Sequence, residues 1–282
     1  MREEPAFTLS GRFEETEFIG NSRMVLGVPF DAPEEFKQRV WAAAQSYAAG
    51  NRSMDYFYKR YGDIATFPRP TEERRKLSST LRQCGYEVER VVSQLANGVE
   101  RRSYLGLFAA ESALLRLSVS FEYASFLLMQ GTVYESAALL RLCLEQVAWA
   151  YDVHLLDDDT LFEKNPTKSV SSLKKLDERA GKLYSLLSDY THIQPKLQRG
   201  YLDFSGEYTT VIFRDYAAAL KLSELHAQLV DLYVITSERI SHEYFSETKA
   251  WTVGEDGSLS RRADYSCLTA MQRWLEGPRG GA

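Results

Sequence analysis

The stretch from Thr132 to His154, TVYESAALLRLCLEQVAWAYDVH, is the most apolar long segment of the chain, and it limits what the rest can be. A helix that is apolar nearly all round is buried in a large core or spans a membrane. Thr132 is a helix-capping residue type and Glu135 stands three residues later, so the spacing predicts a helix over 132–154 that opens with a capping box. Gly131, just before it, is placed to end a preceding helix in the left-handed conformation. Gln130-Gly131-Thr132 therefore reads as a tight turn, and 102–130 as an antiparallel helical partner. The charges choose between core and membrane. Glu135, Arg141 and Glu145 in one segment, and Glu111, Arg116 and Glu122 in the other, would each cost about 2.5–3.5 kcal/mol at a bilayer centre. The expectation is an all-α helical bundle around a central buried antiparallel helix pair, with no membrane attachment.

Further elements follow the same signals. FIGNSRMVLGV reads as a short strand or extended arm within an N-terminal arm over 1–30, ahead of one helical domain over 31–276. Asp31 and Pro33 open a helix over 32–49. The aromatic cluster Tyr56, Phe57, Tyr58 and Tyr61 follows, then a helix from Thr71 to Gly98. SVSSLKKLDERAGKLYSLLSDYTHIQPK reads as one helix, ended at the latest by Pro195. GEYTTVIF is an extended crossing segment. Leu222, Leu225, Leu229, Leu232, Thr236 and Ile240 mark a long helix over 215–245. A small hairpin turns over Glu255-Asp256-Gly257, a short helix covers 265–275, and 277–282 is a flexible tail.

A net charge of −5 supplies no global field to draw nucleic acid or an acidic membrane. Three cysteines, Cys84, Cys143 and Cys267, match no zinc spacing and point to a reducing compartment. The first residues lack the apolar run of a signal peptide, so the protein is expected to be cytoplasmic.

Candidate chemistry rests on few residues. Arg141 and Glu145 stand four apart and share a helix face among apolar neighbours that imply burial. Tyr184, Ser188 and His192 make a second stripe of helical period. If the two helices pack, a guanidinium, a carboxylate and an imidazole converge. Such a set either fixes helix register or holds an anion, with Arg141 as phosphate clamp and His192 as general acid or base. Arg239 and His242, beside Glu238, form a second candidate cluster at the end of the last long helix, as a site or as a surface ion cluster. Arg74, Arg75, Lys76, Arg101 and Arg102 are basic spots that read as solvated faces or phosphate contacts. His154 with Asp157, Asp158 and Asp159 has metal-ligand residue types, but three adjacent acids point in different directions, so no metal is expected. Phosphate-cradling, dinucleotide and nucleophile-elbow motifs are absent, and no cofactor is expected.

The order LLRxxxE, then YxxLLSxxxH about forty residues later, resembles bacterial helical proteins of the HEPN superfamily (higher eukaryotes and prokaryotes nucleotide-binding). It rests on Leu139, Leu140, Arg141 and Glu145, then Tyr184, Leu187, Ser188 and His192, and covers about 104–245. The resemblance implies a helical fold, a homodimer, an RNA or protein partner, and a defence or toxin–antitoxin setting. Ribonuclease members carry an Arg followed four to six residues later by His. None of His154, His192, His226 and His242 has an Arg at that offset. The expected function is a helical binding or interaction module, with a metal-independent ribonuclease or phosphodiesterase as the alternative.

Overall fold

The computed structural model describes residues 16–21, 24–30, 32–50, 53–62, 71–98, 104–192, 197, 199–204, 206, 208–267 and 269. Among them the helices are α1 (Glu34–Ala48), α2 (Met54–Tyr61), α3 (Glu72–Gly98), α4 (Leu105–Met129), α5 (Val133–Val153), α6 (Pro166–Leu176), α7 (Arg179–Thr191) and α8 (Tyr216–Ser241). Three antiparallel strand pairs decorate this bundle: β1 (Thr16–Asn21) with β2 (Met24–Pro29), β3 (Leu202–Asp203) with β4 (Thr210–Val211), and β5 (Trp251–Val253) with β6 (Leu259–Arg261). The fold is all-α with small hairpins, as the sequence predicts.

The expected α4–α5 hairpin is central. Gly131 sits at φ 74°. Its N–H donates to the Leu128 carbonyl at 2.9 Å, and Thr132 N–H donates to the Leu127 carbonyl at 3.0 Å. These two bonds are a Schellman motif, which closes the end of α4. The Thr132 hydroxyl also donates to Leu127, at 2.9 Å. Here the structure departs from expectation: both Thr132 groups are committed to α4, so the capping box with Glu135 does not form and Glu135 is left exposed. The Gly131 carbonyl accepts from Asp215 N–H at 2.9 Å, tying this turn to the start of α8.

Helices α3, α5 and α8 pack along α4. Leu114, Leu128, Leu140, Leu144, Leu229 and Tyr233 are fully buried there, each such side chain contributing about 1.5–3 kcal/mol on leaving water. The Tyr233 hydroxyl donates to the Leu114 carbonyl at 3.1 Å, which satisfies the one polar atom of that ring. At Gly106 a side chain would run into the carbonyls of Val153 and Leu156, so only glycine lets α4 approach the end of α5. Among the described residues α4 is the one helix long and apolar enough to cross a membrane. Fully buried Glu111 lies within it.

Several expectations are corrected. The single helix read across 169–196 is two, α6 and α7, broken at Asp177. Asp177 is extended (φ −149°), and its carboxylate accepts from the Arg179 N–H and from the Arg179 and Arg261 guanidiniums. The side chain thus substitutes for the helix's own bonds. Pro33 is the N-cap of α1 rather than part of its first turn, and Asp31 lies outside the described residues. Helix α8 stops at Ser241, and a 3-10 turn covers His242–Tyr244. Arg74 is not a solvated charge: it is 8% exposed, pairs with Glu17 of β1 at 3.1 Å, and lies over Phe30 and Tyr216. Glu17 also holds Lys37 of α1 at 2.6 Å, so the N-terminal hairpin is stapled to two helices. Phe57 packs inward while Tyr56 stays 44% exposed. Arg101, Arg102, most of the short helix at 265–275 and the tail lie outside the described residues.

Candidate functional site

Arg141 lies near the middle of α5, on the side facing α7. Its guanidinium gathers four partners. Nε donates to Glu145 Oε1 at 3.1 Å, and Nη2 donates to the Tyr184 hydroxyl at 2.9 Å. Nη1 donates to Thr191 Oγ1 and to His192 Nε2, each at 2.9 Å. The guanidinium carbon is 5.1 Å from the Tyr184 ring centroid. Because an arginine N–H only donates, His192 Nε2 accepts and the ring proton sits on Nδ1. Glu145 Oε1 also accepts from Thr167 Oγ1 of α6 at 3.3 Å. Three helices therefore meet at one ion pair.

The sequence implies burial for this pair, but the structure leaves it half-open. The Arg141 and Glu145 side chains are 19% and 21% exposed, and His192, the C-cap of α7, is exposed. An arginine has five N–H donors, and one on Nη2 remains after these partners. The cluster thus presents a cation, an unprotonated imidazole nitrogen and a phenol to solvent at one point.

Ser188 does not join it. Its Oγ is buried without a hydrogen-bond partner, while its carbonyl accepts from His192 N–H. Thr191 and Thr167 are the residues that sequence reasoning missed. Thr191 stands seven residues after Tyr184, on the same helix face, so periodicity offered a signal for it. Thr167, across a loop from α5, offered none.

The second candidate cluster does not assemble. Glu238 is fully buried and accepts from Arg90 Nη2 at 2.9 Å and from the Lys249 and Ala250 N–H groups at 3.0 and 2.8 Å. His242 caps α8, and Arg239 lies over the Trp251 ring at 5.6 Å. Burial lowers the His154 pKa, and the charge of Arg239 lowers it further. Arg239, on α8, therefore lies toward His154, the C-cap of α5, which stands thirteen residues and about 20 Å along that helix from Arg141. Asp157 accepts from Leu105 N–H and Asp158 from Thr160 N–H, so two of the three adjacent acids cap turns. Among the described residues no group of three metal-ligating side chains occurs.

Compared with protein-family models, characterised proteins and solved structures, the chain matches none of them.

Proposed function

We propose that this chain is a cytoplasmic helical binding module whose α5–α7 junction holds a phosphate group of an RNA-like ligand, in the defence or toxin–antitoxin setting that the HEPN resemblance implies. The observation that carries this reading is the 2.9 Å approach of Arg141 Nη1 to the exposed His192 imidazole. A spare guanidinium N–H and the Tyr184 phenol O–H at the same opening are the donors a phosphate oxygen needs, and the His192 imidazole orients the guanidinium beside them. The test is fluorescence anisotropy of a labelled single-stranded oligoribonucleotide. Wild-type protein is expected to bind with a Kd of about 1–100 µM at low salt. Arg141→Ala and His192→Ala should each weaken binding about tenfold or more. Equal binding by wild type and Arg141→Ala overturns the reading.

A specific observation favours a second reading, metal-independent phosphodiester cleavage. His192 Nε2 carries no proton, which is the state a general base requires. In that reading Nε2 exchanges the Arg141 N–H for a ribose 2′-hydroxyl and takes its proton. The 2′-oxygen bonds to phosphorus, the bond to the 5′-oxygen breaks, and that oxygen recovers a proton from His192. Arg141 meets the charge that builds on the phosphoryl oxygens. Cleavage of the same oligonucleotide in chelator, lost in His192→Ala, is the expected sign.

The homodimer belongs to the same reading. What supports it is the outward row of α4: Phe108, Val119 and Tyr123 are 47%, 52% and 51% exposed. Light scattering of wild type against Val119→Glu tests it, with dimer expected for the first and monomer for the second.

A further inference from the structure

A cavity of about 390 Å³ opens where the first turns of α5 and α8 meet the end of α7 and strand β4. Ligand pockets typically span about 300–1,000 Å³, so the space suits a small organic molecule. Two tyrosines line it, Tyr134 and Tyr190, their ring centroids 6.1 Å apart and their planes at 60°. The Tyr134 hydroxyl donates to the Leu197 carbonyl at 3.0 Å, which fixes that ring. Phe213 and Val211, 81% and 54% exposed, stand among the lining residues as apolar surface still in water.

Two acids share the cavity, Glu135 and Asp215. Asp215 Oδ1 caps α8, accepting from Ala218 N–H at 2.8 Å, which leaves its second oxygen over. Glu135 is less committed. The Thr132 amide that a capping box would give it is held by Leu127. Among the described residues its carboxylate has no hydrogen bond or ion pair, and no Lys, Arg or His lines the cavity.

We propose that this cavity binds an organic cation, an ammonium or guanidinium on a short apolar or aromatic stem. Glu135 supplies the charge-assisted hydrogen bond. The tyrosine faces attract the cation through their ring quadrupoles. Val211 and Phe213 cover the stem, which removes apolar surface from water. Two carboxylates repel an anion, so the cavity is not a continuation of the Arg141 cluster. That cluster lies seven residues, about 10 Å, further along α5 than Tyr134. The same cation chemistry comes from a free amine or from a basic side chain of a partner peptide.

Calorimetric titration of the full chain at neutral pH tests this with three probes of one size: phenylethylammonium, phenylethanol and phenylacetate. The cation should bind about tenfold tighter than the alcohol, and phenylacetate should not bind. Glu135→Gln, at an exposed position, should lower cation affinity about tenfold while leaving alcohol affinity and the thermal midpoint unchanged. Asp215→Asn keeps a capping oxygen and should lower cation affinity by less. A capped Gly-Arg-Gly tripeptide forms the other arm. Binding of the tripeptide with the same dependence on Glu135 assigns the cation to a partner's side chain. Binding of phenylethylammonium alone assigns it to a free amine. Equal affinity for cation and alcohol, no effect of Glu135→Gln, or no binding by any probe overturns the proposal.

Discussion

Two ionic centres hold this bundle together, and they are built on opposite terms. Around Glu238 and Asp231, both fully buried, each carboxylate accepts from more than one donor. Glu87 accepts from Arg90 at 3.0 Å and from Lys249 at 2.6 Å, while Glu238 takes Arg90 and two backbone amides. Asp231 accepts from Arg179 at 3.0 Å and from Cys267 N–H at 2.7 Å. Burial pushes Asp231 up, whereas at Asp177 the Arg179 and Arg261 partners outweigh burial and hold the carboxyl at about 2. These charges pin the C-terminal hairpin onto α3, α7 and α8. At Arg141 the same residue types sit at the edge of the core, with an exposed imidazole as one partner. The sealed network spends its donors on the fold, apart from Arg90 Nη1, which is buried without a partner. An open one keeps some for a ligand.

The largest expected effect comes from breaking the sealed side. Glu238→Ala leaves Arg90 and two amides facing a hole, and removing one partner of a buried pair costs about 3–5 kcal/mol. Urea unfolding at neutral pH should show that loss. Glu238→Gln, which keeps an acceptor, should cost less. A loss below about 1 kcal/mol for the alanine variant would mean that the region opens to water.

Next comes a buried group with no ionic partner. His226 is 1% exposed, lies against Phe121 with ring centroids 5.8 Å apart, and has neither nitrogen hydrogen-bonded. Burial lowers its pKa from 6.5 to about 4. The folded state therefore favours the neutral ring. Its contribution is complete above pH 6.5, falls as the unfolded chain gains a proton below that, and is flat below about pH 4. A shift of that size amounts to about 3 kcal/mol. Urea midpoints from pH 7 to pH 4 should show this slope in wild type and lose it in His226→Leu. An unchanged slope would place the pH dependence on the carboxylates instead.

The fold was legible because its signals are local. The apolar run at 132–154, the left-handed Gly131 and the turn at Glu255-Asp256-Gly257 each specify their element within a few residues. Arg141, Tyr184 and His192 were legible by helical spacing, and the structure brings them together. What escaped depends on contacts distant in sequence. The Asp177 carboxylate at the break is also held by Arg261, eighty-four residues away, and the buried Arg74 pairs with Glu17, fifty-seven away. Ser188 fits the stripe but turns its hydroxyl inward, and periodicity alone does not say which of Ser188 and Thr191 reaches Arg141.

The finest test of the comparison is Arg141 itself. Its side chain is 19% exposed, and its partners other than Glu145 are neutral groups that keep or regain water when it is removed. Partly exposed pairs contribute about 0–1 kcal/mol, so Arg141→Ala should cost about 1 kcal/mol, well under the loss at Glu238. Circular dichroism should stay that of the wild type while oligoribonucleotide binding falls. The two centres then differ in kind: one is required for the fold, the other for what the fold holds. Should Arg141→Ala unfold the chain as Glu238→Ala does, the guanidinium is a tie among α5, α6 and α7, and its opening at His192 is incidental to that work.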